Sequence, residues 1–193
     1  SLDAPSRAQL RGFLLAFAAG RAGTLPQVVL RAVLHVVAVM LKRGWLEDAG
    51  STRDVALNEV AQLLAADLPH KSLGMELLEQ LVGEFQENRS TRLGVSKEFH
   101  ERSTKAFTAH GLTQALQLGL STLRQTADAV VAFHSSNPGS ALPDGPVNLL
   151  GTALNVVSTC LSWNERISVG TGGRRRGEET SLRPPDEWRP LLL

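Results

Sequence analysis

Apolar residues recur along this chain at intervals of three and four, the repeat of a helix with one buried face, and the spacing predicts seven helices. Leu10, Phe13, Leu14 and Phe17 form the stripe of a first helix over 6–19, with Ser6 as its N-cap and Gly20 as its stop. Pro26 suits the first turn of a second helix that runs to Arg43 and ends at Gly44. Lys42 and Arg43 stand near its carboxyl end, where the helix dipole favours cations. A third helix over 53–66 carries Val55, Val60, Leu63 and Leu64, and a fourth over 72–87 carries Leu77, Leu78, Leu81, Val82 and Phe85. These four read as two antiparallel pairs. Ser96 caps a short helix with Phe99 and Phe107 near its ends. A long helix over 112–133 follows, with Leu112, Leu116, Leu120, Leu123, Ala127 and Val130 on one face. The Ser, Gly and Pro of 135–146 make a loop before a seventh helix over 147–163.

The second helix begins at Pro26 and the fourth near Lys71, a separation of 45 residues that matches two-helix HEAT or armadillo units. In the third unit the corresponding helix begins near Val147, 76 residues later, because the 96–107 element and the 135–146 loop are inserted. The expected fold is all-α, a HEAT-repeat-like solenoid of three stacked pairs over 6–43, 53–87 and 96–163. A Gly- and Arg-rich irregular stretch over 164–181 and the start of a further helical unit over 182–193 would follow. A closed helical bundle is the alternative. The repeat spacing and the apolar run from Val28 to Leu41, too greasy for one facing partner to cover, favour the solenoid.

Composition agrees: 32 Leu and 21 Ala stand against 16 Val and one Ile, a helix-former's choice. With 20 Lys+Arg and 19 Asp+Glu the formal net charge is +1, so charge alone gives no reason to expect nucleic acid or an anionic membrane as partner. The run from Val28 to Leu41 is too short to span a bilayer and is interrupted by Arg31 and His35. The amino-terminal residues carry no signal-peptide pattern, and the lone Cys160 suits a reducing compartment. Asn88-Arg89-Ser90 is then a chance sequon.

No catalytic, cofactor-binding or metal-ligating residue is assigned, and no cofactor is expected. His35, His70, His100, His110 and His134 have no zinc-ligand spacing, and Gly119-Leu120-Ser121 lacks the closing Gly of a nucleophile elbow. Gly170-Thr171-Gly172-Gly173 has neither a strand before it nor an apolar helix after it, as a phosphate loop would. Glu178 and Glu179 offset the neighbouring Arg174, Arg175 and Arg176. The export-signal-like spacing over 75–82 is that of any core-facing helix. Trp45, Trp163 and Trp188 sit at helix ends, where they can close the gap between stacked units, and Trp188 is also a candidate partner anchor. The expected protein is a non-enzymatic binding surface.

Five strings narrow this further: Arg11-Gly12-Phe13-Leu14-Leu15-Ala16-Phe17, Val33 through Ala38-Val39-Met40-Leu41-Lys42-Arg43-Gly44-Trp45-Leu46, Ser96-Lys97-Glu98-Phe99-His100, Leu161-Ser162-Trp163-Asn164, and Leu182 through Pro184-Pro185-Asp186-Glu187-Trp188 to Leu191. In this order they resemble the exportins of the importin-β (karyopherin) superfamily, HEAT-repeat nuclear transport receptors. The resemblance implies binding of protein cargo together with Ran-GTP, passage through phenylalanine-glycine nucleoporins, and shuttling between nucleus and cytoplasm. Cargo of the implied type includes translation initiation factor 5A and SMAD proteins. It also places this chain after the amino-terminal repeats that make the main Ran contact, as a fragment of a longer receptor. A HEAT scaffold without a nucleotide switch is the alternative function.

Overall fold

The computed structural model describes residues 3–47, 51–86 and 96–163, and within them the chain folds into seven α-helices. These are α1 (Ala4–Ala19), α2 (Gln27–Gly44), α3 (Ser51–Leu64), α4 (Leu68–Phe85), α5 (Lys97–His110), α6 (Leu112–Ser136) and α7 (Asp144–Leu161). The fold is all-α, with helices packed in pairs as in an α-solenoid: α1 lies on α2, α3 on α4, and α6 on α7. The second helices of the pairs are neighbours, so that α4 is sandwiched between α2 and α7, while α3 touches α6 in the other layer. Helix α5 stands outside the pairs and packs on α4 and α6. The stretches 164–181 and 182–193, given above as a loop and a further unit, lie outside the described residues.

Helix ends differ from the sequence reading wherever an acidic cap was overlooked. Asp3, not Ser6, caps α1: its carboxylate accepts from the Ser6 amide at 2.9 Å, with Pro5 in the first turn. Likewise α4 starts at Leu68 rather than 72, because the Asp67 carboxylate accepts from the His70 amide at 3.1 Å and Pro69 fits the first turn. Hydrogen bonds from the side chains of Ser6 and His70, and then from their amides, hold the Asp3 and Asp67 carboxyl groups below the usual aspartate range. At α5, Ser96 does cap the helix, through the Phe99 amide at 3.2 Å. That helix runs on to His110, and Gly111 alone separates it from α6. Asp144, inside the expected loop, opens α7.

The centre of the core is α4, where Leu73, Met75, Leu77, Leu78, Leu81, Val82 and Phe85 are all buried. Leu34, Val37, Ala38 and Leu41 of α2 and Leu149, Ala153, Val156 and Cys160 of α7 close over it. Burial pushes the Cys160 thiol up to about 12, so it behaves as a small apolar side chain. Two expected stripes are corrected. On α1 the buried residue is Ala18, whereas Phe13 is 66% exposed, Leu10 is exposed, and Phe17 lies under the Arg21 guanidinium at 4.3 Å. The reason is geometric: α2 is the main partner of α1 and takes only its Leu14, Leu15, Ala18 and Ala19 edge. On α6 the buried line is Leu112, Ala115, Leu116, Gly119, Thr122 and Thr126, while Leu120, Leu123, Ala127 and Val130 are only half-buried. Small residues face α7 because the helices approach closely, and a Cβ at Gly119 would stand 3.1 Å from Val157 and 3.3 Å from Val156.

Helices α3 and α4 cross just as tightly at Gly74, where a Cβ would stand 2.8 Å from the Leu63 Cβ and 3.3 Å from the Leu64 amide nitrogen. Neither obstacle is a movable side-chain tip. Gly74→Ala is therefore expected to destabilise the fold by about 1–3 kcal/mol despite alanine's better helix propensity. Gly12→Ala, with nothing within 4 Å of the new methyl, should stabilise it by up to about 1 kcal/mol. Urea unfolding monitored by circular dichroism distinguishes the two; equal effects would refute the close crossing.

Candidate functional site

The outward edge of the α2–α4 contact is a ladder of polar side chains. Residues 27, 31 and 35 recur every four positions on α2, and Glu76, Glu79 and Glu84 follow on α4. The Glu76 carboxylate accepts from the Gln27 amide at 2.7 Å and from the Arg31 guanidinium at 3.1 and 3.3 Å. Arg31 also lies 3.8 Å from Glu79, whose other oxygen accepts from Asn155 of α7 at 3.2 Å. The hydrogen bonds and charge of Glu76 raise the already high pKa of Arg31. His35 Nδ1 stands 3.4 Å from Glu84. Beside the ladder, between α4 and α7, a cleft of about 190 Å³ is lined by Arg31, Glu79, Gln80, Val82, Val156 and Thr159 among others. Its exposed lining is mainly polar, since Val82 and Val156 are themselves buried.

At the far end the ladder turns inward. Lys42 and Glu84 are 3% and 1% exposed, and Lys42 donates from Nζ to the Glu84 backbone carbonyl in the last turn of α4. It donates also to His100 Nδ1 of α5 at 2.9 Å and lies 3.9 Å from the Glu84 carboxylate. Thr104 Oγ1 of α5 donates to the next carbonyl, that of Phe85, at 2.9 Å. The two residues supply partners to carbonyls that a helix leaves unsatisfied at its end. Burial lowers the Lys42 pKa against the opposing pull of Glu84, and burial, with Lys42 next to it, lowers that of His100. Lys42 thus serves the end of α4 rather than the end of its own helix.

An aromatic box adjoins this cluster. Phe85 and Phe107 stack with centroids 4.4 Å apart, and Trp45 meets them at 4.9 and 5.4 Å. Trp163 leans on Phe107 at 5.5 Å and donates from Nε1 to Thr108 at 3.0 Å. Two of the three tryptophans, Trp45 and Trp163, therefore pack on the same ring, that of Phe107. Trp188, Gly170–Gly173, Arg174–Arg176 and the sequon at 88–90 lie outside the described residues. The export-signal-like segment supplies core residues, since Met75, Leu77, Leu78, Leu81 and Val82 are buried. His70 Nδ1 contacts the Asp67 cap, and His110 and His134 are exposed in the last turns of α5 and α6. Among the described residues no three His, Cys, Asp or Glu side chains are grouped to hold a metal ion, and no helix is long and apolar enough to cross a membrane. On the opposite side, Arg11 of α1 reaches Glu59 of α3 at 3.5 Å, and burial raises the Glu59 pKa.

Lys42→Met is expected to cost about 3–5 kcal/mol, since it strands a buried carboxylate and a buried carbonyl. Arg31→Ala removes a half-exposed guanidinium and leaves the nearly buried Glu76 carboxylate its bond from Gln27, so it should cost less, about 1–2 kcal/mol. Chemical denaturation of both variants tests the ranking, which a reversed order would overturn.

No family model matches this chain, and no solved structure matches it. Its sequence is similar to that of Ran-binding protein 16 of Drosophila melanogaster, with 23% identity over 195 residues. The alignment takes in 100% of this chain and 17% of that protein, so the chain spans a small part of its relative's length. What the sequence resembles is thus, distantly, a portion of a Ran-binding protein.

Proposed function

We propose that the chain is a segment of a karyopherin-type nuclear transport receptor, and that within this type it is of the exportin-4 kind. The observation that carries the reading is similarity to a Ran-binding protein along the whole of this chain, joined to a fold of stacked helix pairs. The complete protein carrying the segment binds protein cargo, with translation initiation factor 5A and SMAD proteins as the cargo of that kind, and does so together with Ran-GTP. It passes phenylalanine-glycine nucleoporins and shuttles between nucleus and cytoplasm. No catalysis is involved: recognition rests on surfaces such as the α2–α4 ladder and the adjoining cleft, whose mixture of charged, amide and apolar groups suits a protein partner. Stacked pairs with small relative rotations give a curved, deformable surface that can hold a GTPase and a cargo at once.

In a binding assay with the complete protein, cargo affinity is expected to be about tenfold or more higher with Ran-GTP than with Ran-GDP, a coupling of about 1.4 kcal/mol. The isolated 193-residue segment should bind Ran weakly or not at all. Equal cargo affinity in the two nucleotide states would replace this reading with that of a scaffold lacking a nucleotide switch.

A further inference from the structure

Helix α5 is attached to the stack in two unlike ways. Its second half is anchored by Phe107, fully buried in the aromatic box. Its first half, where Ser103 is buried and Phe99 half-buried, is tied to the other helices by two hydrogen bonds: His100 accepts from Lys42 of α2 at 2.9 Å, and Thr104 donates to the Phe85 carbonyl of α4 at 2.9 Å. With Lys42 as donor, His100 Nδ1 must be the unprotonated nitrogen. We infer that α5 is a proton-operated latch: protonation of His100 turns its hydrogen bond with Lys42 into a contact between two cations and releases Lys97 to Thr104 from the stack, while Phe107 keeps its place.

The surroundings favour this outcome over simple accommodation of the charge. From α2 the group facing His100 is Lys42, itself cationic and tied to the Glu84 carbonyl. From α4 it is Glu84, whose carboxylate lies 3.9 Å from Lys42 and 3.4 Å from His35, keeps one buried oxygen without a hydrogen bond, and makes no ion pair with His100. The ionisable residues of α6, which are Arg124, Asp128 and His134, are all exposed. Only Glu101, on α5 itself, favours the charged imidazole, and burial and Lys42 outweigh it. The docked state holds His100 below its ordinary value of 6.5, so docking is fully stable above pH 6.5 and weakens as pH falls below it. One proton is linked to release, which sets a limiting slope of about tenfold per pH unit.

Hydrogen exchange of the full chain at pH 7.5 and 5.5, corrected for intrinsic amide chemistry, tests the latch. Amides of 97–104 should exchange about tenfold faster at pH 5.5, while those of 73–85 stay protected. His100→Gln supplies an amide oxygen that accepts from Lys42 without titrating, and should show equal protection of 97–104 at both pH values. An unchanged α5 in the natural sequence, joint loss of protection in α4 and α5, or a His100→Gln variant that still responds to pH would each overturn the inference. If that variant does not fold, the imidazole titration of His100 followed by NMR decides: a value below 6.5 supports the latch, and one at or above 6.5 refutes it.

Discussion

A helix that ends inside a protein must find partners for its last carbonyl groups, and this requirement at the carboxyl end of α4 organises the rest of the molecule. Water cannot satisfy them there, because Glu84 and Phe85 are buried. Lys42 takes one carbonyl and Thr104 the next, and these two residues come from α2 and α5. One helix end therefore ties three helices together and sets how far α2 extends past α4. The stacked Phe85 and Phe107 rings stand immediately beside it, and Trp45 and Trp163 both pack on the Phe107 ring.

The two sides of the α2–α4–α7 layer have different chemistry. Toward α1, α3 and α6 it is packed with Leu, Val and Ala, and toward the cleft it carries carboxylates, guanidinium and amides. Hydrophobic burial drives stacking but discriminates little between neighbours, whereas the polar ladder penalises a shifted register by leaving charges unmatched. Function, on the reading proposed here, belongs to the polar side.

Much of this was legible in the sequence, for reasons that can be named. The central helices α2, α4 and α7 have wide apolar faces whose period shows directly, and Leu77, Leu81 and Phe85 stand where the pattern put them. Pattern reading failed where a helix buries something other than its greasiest face: Ala18 rather than Phe13 on α1, and Gly119 and Thr122 rather than Leu123 on α6. A close helix crossing selects small side chains, and hydropathy has no term for proximity. The buried polar cluster was also missed, although it left a trace. Lys42 lies four residues from Ala38 and three from Trp45, Glu84 three from Leu81, and His100 three from Ser103, each in register with buried neighbours. A charged residue on the apolar register of a helix was the available signal, and macrodipole reasoning gave Lys42 a blander role.

Arg31 stands within reach of two carboxylates, Glu76 and Glu79, that lie one turn apart on α4. A guanidinium shared between successive rungs fixes the register of α2 on α4, since a slide either way would leave one carboxylate without its cation. At the α6–α7 crossing the closeness of Gly119 to Val156 and Val157 fixes the register by contact instead. The stack is thus held in register by charge at one contact and by shape at another, and only the first weakens as salt concentration rises.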